Sequence, residues 1–217
     1  MNTYVYGITS RSHPPPRGVS GVGDPPCAVR SLTRGSLAAL VGDAPAVPRP
    51  GRADRRAHAR VVAHAAATGT VLPLGFGTLA PDDEAVTGRL ARRAEHYAER
   101  LEALAGRVEY RLTAGPRSRG VDAALRRALE PEVEALTAGT DATGRFGRVT
   151  CLVDRAETES FLGVVARARR NRPDTDVVVD GPLPPYDFVE SGPPPRPAPR
   201  GAAGGPLEVA GGRGATS

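Results

Sequence analysis

The sequence predicts an α+β fold with α/β elements, built as two small parts joined by a long helix. Strand-like and helix-like patterns alternate in both halves of the chain. A single apolar stripe runs unbroken through residues 82–105, between those halves. From Ser191 onward these patterns stop, and 13 of the last 27 residues are Gly or Pro. That composition reads as a disordered tail.

In chain order, TYVYGI (3–8) is rich in β-formers and reads as a strand. SHPPPRGVSGVGDPP is a loop by its prolines and glycines, CAVRSLT and LAALV are two short strands, and VGDAPAVPRPGR is a second loop. Residues 53–68 place Ala57, Val61, Val62, Ala65 and Ala66 on one helical face, and Gly69 supplies a stop. Residues 71–79 read as strand on both sides of Gly75.

In the helix at 82–105, Val86, Leu90, Ala94, Tyr97, Leu101 and Leu104 are spaced 4, 4, 3, 4 and 3 apart. Pro81 precedes it, Asp82, Asp83 and Glu84 occupy the first turn where the dipole favours negative charge, and Gly106 ends it. RVEYRLT alternates, with Val108, Tyr110 and Leu112 on one face of a half-buried strand. A helix is expected over about 120–136, with Pro131 starting a second helical piece. GRVTCLV is a strand, and the helix over about 156–171 turns Phe161, Leu162 and Val165 inward. TDVVVD is a strand, and GPLPPYDFV is an extended, proline-stiffened closing segment. The expected division is an N-terminal α/β part at 1–81, the linking helix at 82–106, a C-terminal part at 107–190, and the tail at 191–217.

Composition sets the limits. Of 217 residues, 40% are apolar, but much of that is alanine, with five Tyr, four Phe and no Trp, so modest cores are expected. All 29 basic residues are arginine. The net charge is +5, of which three Arg against one Glu in the tail supply +2, leaving only +3 on the rest. That is too little to argue for a nucleic-acid binder. Cys27 and Cys151 belong to no motif and read as buried free thiols of a cytosolic protein. No signal-peptide pattern opens the chain, and no run approaches the ~18 apolar residues of a membrane span, so a cytoplasmic protein without membrane contact is expected.

Each motif that carries chemistry has a structural competitor. Gly75 and Gly77 give G-x-G ahead of a helix, but position 80 is Ala and the chain has no lysine for a phosphate loop. The three acids opening the helix would repel a phosphate. A strand with close backbone approach or a bulge is the better reading. His58 and His64 lie six apart and off a common face, so they read as solvated helix histidines. RARRNR (167–172) is the densest basic cluster. It suits a phosphate or RNA contact, yet it also sits where a helix C-terminus favours cations, opposite Glu157 and Glu159, without aromatics for stacking. No nucleophile elbow or paired carboxylates appear. No enzyme, cofactor or metal site is expected.

The order of four phrases resembles the gas vesicle protein family GvpL/GvpF: YVYGI (4–8), LAALV (37–41), AHARVVAHAAATGTVLPLGFGT (57–78) and GPLPPYDFV (181–189), with GRVEYRL after the long helix. The resemblance spans about residues 3–189. In one departure, Gly75 stands where the family usually places an arginine. The resemblance implies a ferredoxin-like C-terminal part and a non-enzymatic role in building gas vesicles. It also implies contacts with the small hydrophobic shell protein and other accessory proteins, and a place in the cytoplasm at the vesicle. For partner binding, the closing phrase offers Pro185, Tyr186 and Phe188, although both rings also suit a core. The competing reading is a nucleic-acid-binding module using the basic cluster near residue 170.

Overall fold

The computed structural model describes residues 2–44, 51–114, 121–140, 147–171 and 177–190. The expected tail lies outside them, as does Arg172 of the basic cluster. The first sheet is antiparallel and contains β1 (Asn2–Ser10), β2 (Val29–Arg34), β3 (Leu37–Ala44), β4 (Val71–Pro73) and β5 (Leu79–Ala80). Its order is β2-β3-β1-β4, with β5 also on β1.

β1 is the central strand and is buried along both faces, which is why TYVYGI is almost continuously apolar. Helix α1 (Arg52–Thr68) covers one face with Ala57, Val61, Val62 and Ala65 against Tyr4, Tyr6 and Leu40. Helices α2 (Asp83–Arg92) and α3 (Ala94–Ala103) cover the other with Val86, Leu90, Tyr97 and Leu101 against Val5, Ile8, Ala39 and Val41. Val5 and Ile8 share that face although three apart because the register shifts between Val5 and Gly7, a bulge that re-phases the strand.

Two expectations change here. Residues 71–80 do not form one strand around Gly75; β4 and β5 each pair with β1, and a turn at 75–78 bulges out between them. Gly77 has φ of +88° there, which favours glycine. The helix at 82–105 is also broken, at Arg93 (φ −117°, ψ 25°). Its apolar stripe continues through the break, so periodicity alone does not reveal it. Asp82 caps α2 by accepting from Ala85 N–H at 2.7 Å.

The second sheet is antiparallel, in the order β7-β8-β6-β9, from β6 (Arg107–Ala114), β7 (Ala135–Thr140), β8 (Gly147–Asp154) and β9 (Val177–Leu183). Helices α4 (Val121–Leu129) and α5 (Thr158–Arg170) cover one face. Leu125, Leu129, Phe161 and Val165 meet Val108, Tyr110, Leu112, Val149, Cys151 and Val153 there. The element order β-α-β-β-α-β fits the ferredoxin-like arrangement.

The second helical piece expected after Pro131 is instead one 3-10 turn (Glu130–Glu132) followed by strand β7. ALTAGT carries weak β-formers; its pairing with β8, not its own propensity, makes it a strand. Leu162 is 39% exposed, not inward. Cys151 is buried with its thiol pushed up to about 12 by burial, whereas Cys27 is only half-buried; both are free thiols.

The two layers meet through the closing segment. Leu152 of β8 and Phe188 and Val189 beyond β9 join the same apolar cluster as Leu101 and Leu104. Phe188 is 1% exposed and belongs to that cluster, which draws side chains from both halves. Truncating it as Phe188→Ala is expected to cost about 3–5 kcal/mol of unfolding free energy, measured by urea denaturation; a loss below ~1 kcal/mol would show that the halves are not joined there.

Candidate docking groove

A groove of about 560 Å³ opens between the end of α1 and the base of the second sheet. One wall is Ala63, Ala66 and Ala67 of α1, continuing into Gly69 and Val71; the other is Leu104, Val108 and the run Pro182–Pro185. Ala63 and Ala67 are exposed on the flank of α1, Ala66 is half-buried against the first core beside them, and their small size leaves the groove open. The prolines lack N–H groups, so apart from Leu183 this run has no backbone donor to offer. Arg155 stands exposed at the rim, its backbone N–H donating to Gly106 O at 2.8 Å. Arg107, also lining the groove, is held inside by an ion pair with Glu134 at 3.0 Å and by donation to Ala103 O.

The three partner-contact residues expected from the closing phrase go to different places. Pro185 is buried in the groove wall. Residues Tyr186–Phe188 form a 3-10 turn and are not extended, so the two rings do not share a face. Tyr186 is half-buried against the cluster of Tyr4, Tyr6 and His58, with its hydroxyl pushed up to about 12 by burial. Phe188 enters the other core.

A set of polar side chains fixes this turn. The Glu109 carboxylate accepts Asp187 N–H at 2.8 Å, and Thr150 donates to Asp187 Oδ2 at 2.9 Å. Arg100 donates from Nε to Val189 O at 3.1 Å and from a terminal nitrogen to Phe188 O at 2.9 Å. Arg93 pairs with Glu190 at 3.0 Å. Glu109 has no exposure at all, and Arg111 lies 2.6 Å from its Oε1. Burial pushes the Glu109 carboxyl above its ordinary range; the Asp187 N–H and Arg111 pull it back only in part. Sequence reasoning missed Glu109, because alternation in RVEYRLT assigns it to the open face. It is on that face, but the closing segment covers it.

His58 is a second correction. It is 4% exposed, not solvated, and its Nδ1 is 2.9 Å from Tyr4 Oη. That hydroxyl accepts Gly77 N–H at 2.9 Å, which leaves its proton to point at Nδ1. Burial holds His58 below its ordinary value. The signal was present: position 58 falls on the same helical face as Val61, Val62 and Ala65. The remaining candidates stay apart from the groove. Asp83, in the first turn of α2, is held by Arg30 at 2.8 Å and Thr3 at 2.8 Å, so the acids there already have a structural task. A side chain at Gly75 would meet open space, so the arginine usual there would extend from an exposed turn. Arg167, Arg169 and Arg170 are exposed on the last turn of α5.

The family model described as "Gas vesicle synthesis protein GvpL/GvpF" matches residues 2–122 and 116–190. Gas vesicle protein F of Streptomyces sp. (strain CB03234) is 36% identical over 238 residues, covering 88% of this chain and the whole of that protein. The crystal structure of GvpF from Anabaena sp. PCC7120 superposes with a TM-score of 0.75 at 18% identity, over 87% of this chain and 95% of the other. GvpF from Microcystis aeruginosa gives 0.74 at 17% identity, over 87% and 98%. These two likenesses establish the shared fold.

The raised Glu109 carboxyl has a signed consequence. The folded chain binds that proton more tightly than the unfolded chain does, so the contribution of Glu109 to stability is greatest at low pH. It declines as pH rises from the ordinary carboxylate value through the raised one. The difference in unfolding free energy, unmodified chain minus Glu109→Gln, is therefore expected to fall across that window in urea titrations at a series of pH values. A difference that grows with pH would reverse the assignment.

Proposed function

The chain belongs to the GvpL/GvpF family of gas vesicle synthesis proteins, and from that membership we propose that it acts without catalysis, in the cytoplasm. It binds the small hydrophobic shell protein and hands it, with other accessory proteins, to the growing vesicle. The observation that carries this reading is the groove: small apolar residues on one side, a proline wall on the other, and an open length between. A shell subunit with an apolar surface aggregates when released free, and a groove of this lining suits an apolar segment of it. Pro185 contributes to that surface as part of the wall. Tyr186 and Phe188 contribute by holding the wall in place from behind.

The test is co-expression with the shell protein followed by purification of the tagged chain. The unmodified chain is expected to retain the shell protein. Ala67→Glu places a carboxylate on the exposed groove wall. It should lower retention roughly tenfold, because burying an unpaired charge against apolar surface costs at least about 1–3 kcal/mol. The melting temperature of the free variant should stay close to that of the parent, since position 67 is exposed. Retention unaffected by this charge would remove the groove from the reading.

A further inference from the structure

Two open sheets have four edges, and an edge strand is a template for pairing unless something blunts it. Three of the four are blunted. β2 carries Arg30 and Arg34. The β4–β5 edge is reduced to strands of three and two residues around the turn at 75–78. β9 carries exposed Asp180, Gly181 and Pro182, and Gly181 at φ +150° lies so close to Tyr110 that a Cβ there would come within 2.4 Å of the ring. The fourth edge, β7, has none of these devices. Its six residues, ALTAGT, include no charge and no proline, and among the described residues it pairs only with β8.

The backbone directions on β7 follow from one bond. Glu134 N–H, just before the strand, donates to Leu152 O at 2.8 Å. The Leu152 carbonyl therefore turns to β7, so its register partner Ala135 and, in alternation, Thr137 and Gly139 turn to β8, and the N–H groups of Leu136 and Ala138 turn to the free side. Thr137, Ala138 and Gly139 are exposed.

We propose that the free edge of β7 is a strand-addition site, and that its occupant is an extended segment of the shell protein carrying large apolar side chains and one carboxylate. The size argument comes from β7 itself: Thr, Ala and Gly fill little of the pleat, so a neighbouring strand packs well only if it brings large side chains. The charge argument comes from β8. The residue opposite Gly139 is Arg148, which is half-buried and has no ion-pair partner among the described residues. A Cβ at Gly139 would meet nothing within 4 Å, so no β7 side chain stands between Arg148 and an incoming carboxylate. A second copy of this chain fits less well. It would set small residues against small and bring together two chains each of net charge +5. The inference rests on the proposed binding of the shell protein and adds a second surface to it.

The experiment uses the same co-purification with two β7 variants. Ala138→Pro removes one outward donor without touching the bonds to β8, and Thr137→Lys adds an edge charge. Both should lower retained shell protein roughly five- to tenfold, the consequence of a lost strand contact, with the melting temperature of the free chain held. Combining either with Ala67→Glu should lower it further. Retention of shell protein by both β7 variants, while Ala67→Glu still lowers it, overturns the edge and leaves the groove reading standing. Failure of the unmodified chain to retain shell protein overturns both. A concentration-dependent dimer of the unmodified chain that Ala138→Pro converts to monomer assigns the edge to a second copy and overturns the proposal.

Discussion

One buried carboxylate governs the relation between the two layers. Glu109 stands on the face of the second sheet that its helices leave uncovered, and it has no solvent contact. An isolated carboxylate in that position would be strongly unfavourable. It is tolerated because the backbone of Asp187 and the guanidinium of Arg111 both address it. The Asp187 bond fixes residues 186–188 as a tight turn, and that turn sends Tyr186 into one core and Phe188 into the other. The groove wall at Pro182–Pro185 is simply the chain on its way to this anchor. Replacing such a polar centre by apolar groups is often neutral in stability, so its contribution here is better understood as geometry: it admits one path for the closing segment.

Much of this fold was legible in the sequence because burial imposed a period on it. Val108, Tyr110 and Leu112 alternate, and they do face one core. Val86, Leu90, Tyr97 and Leu101 recur at helical spacing, and they do cover one sheet face. What escaped was whatever a partner element decides. β7 is a strand because β8 is beside it, and nothing in ALTAGT says so. The break at Arg93 leaves the apolar stripe intact, so no pattern marks it. The bulge in β1 is visible only as Val5 and Ile8 sharing a face, which a strict two-residue period forbids.

The site was less legible than the fold. The prolines of the closing phrase predict an extended geometry, and the chain turns as soon as they end. The groove has no sequence signature, because alanine on the flank of a helix and proline after a strand each have commoner meanings. His58 carries a readable signal in its helical position, on the face of Val61, Val62 and Ala65. Glu109 carried none: an acid on the polar side of an alternating strand is the expected pattern, and only the return of the chain after β9 converts it into a core residue.

The distribution of aromatic rings constrains how this chain recognises anything. Among the described residues, Tyr4, Tyr6, Tyr97, Tyr110, Phe161 and Phe188 are buried, and Phe76 and Tyr186 are half-buried against the core. Protein interfaces usually draw most of their energy from a few exposed aromatic or arginine anchors set into pockets. Here the rings are already committed to cores that alanine cannot fill. What the surface retains is small side chains, a proline wall, arginines and free backbone. On the proposed reading, recognition depends on the partner supplying the bulk, with the groove and the β7 edge receiving it. That division suits a partner whose own exposed surface is large and apolar, since the bulky groups that endanger it in water are the ones the receiving surface lacks.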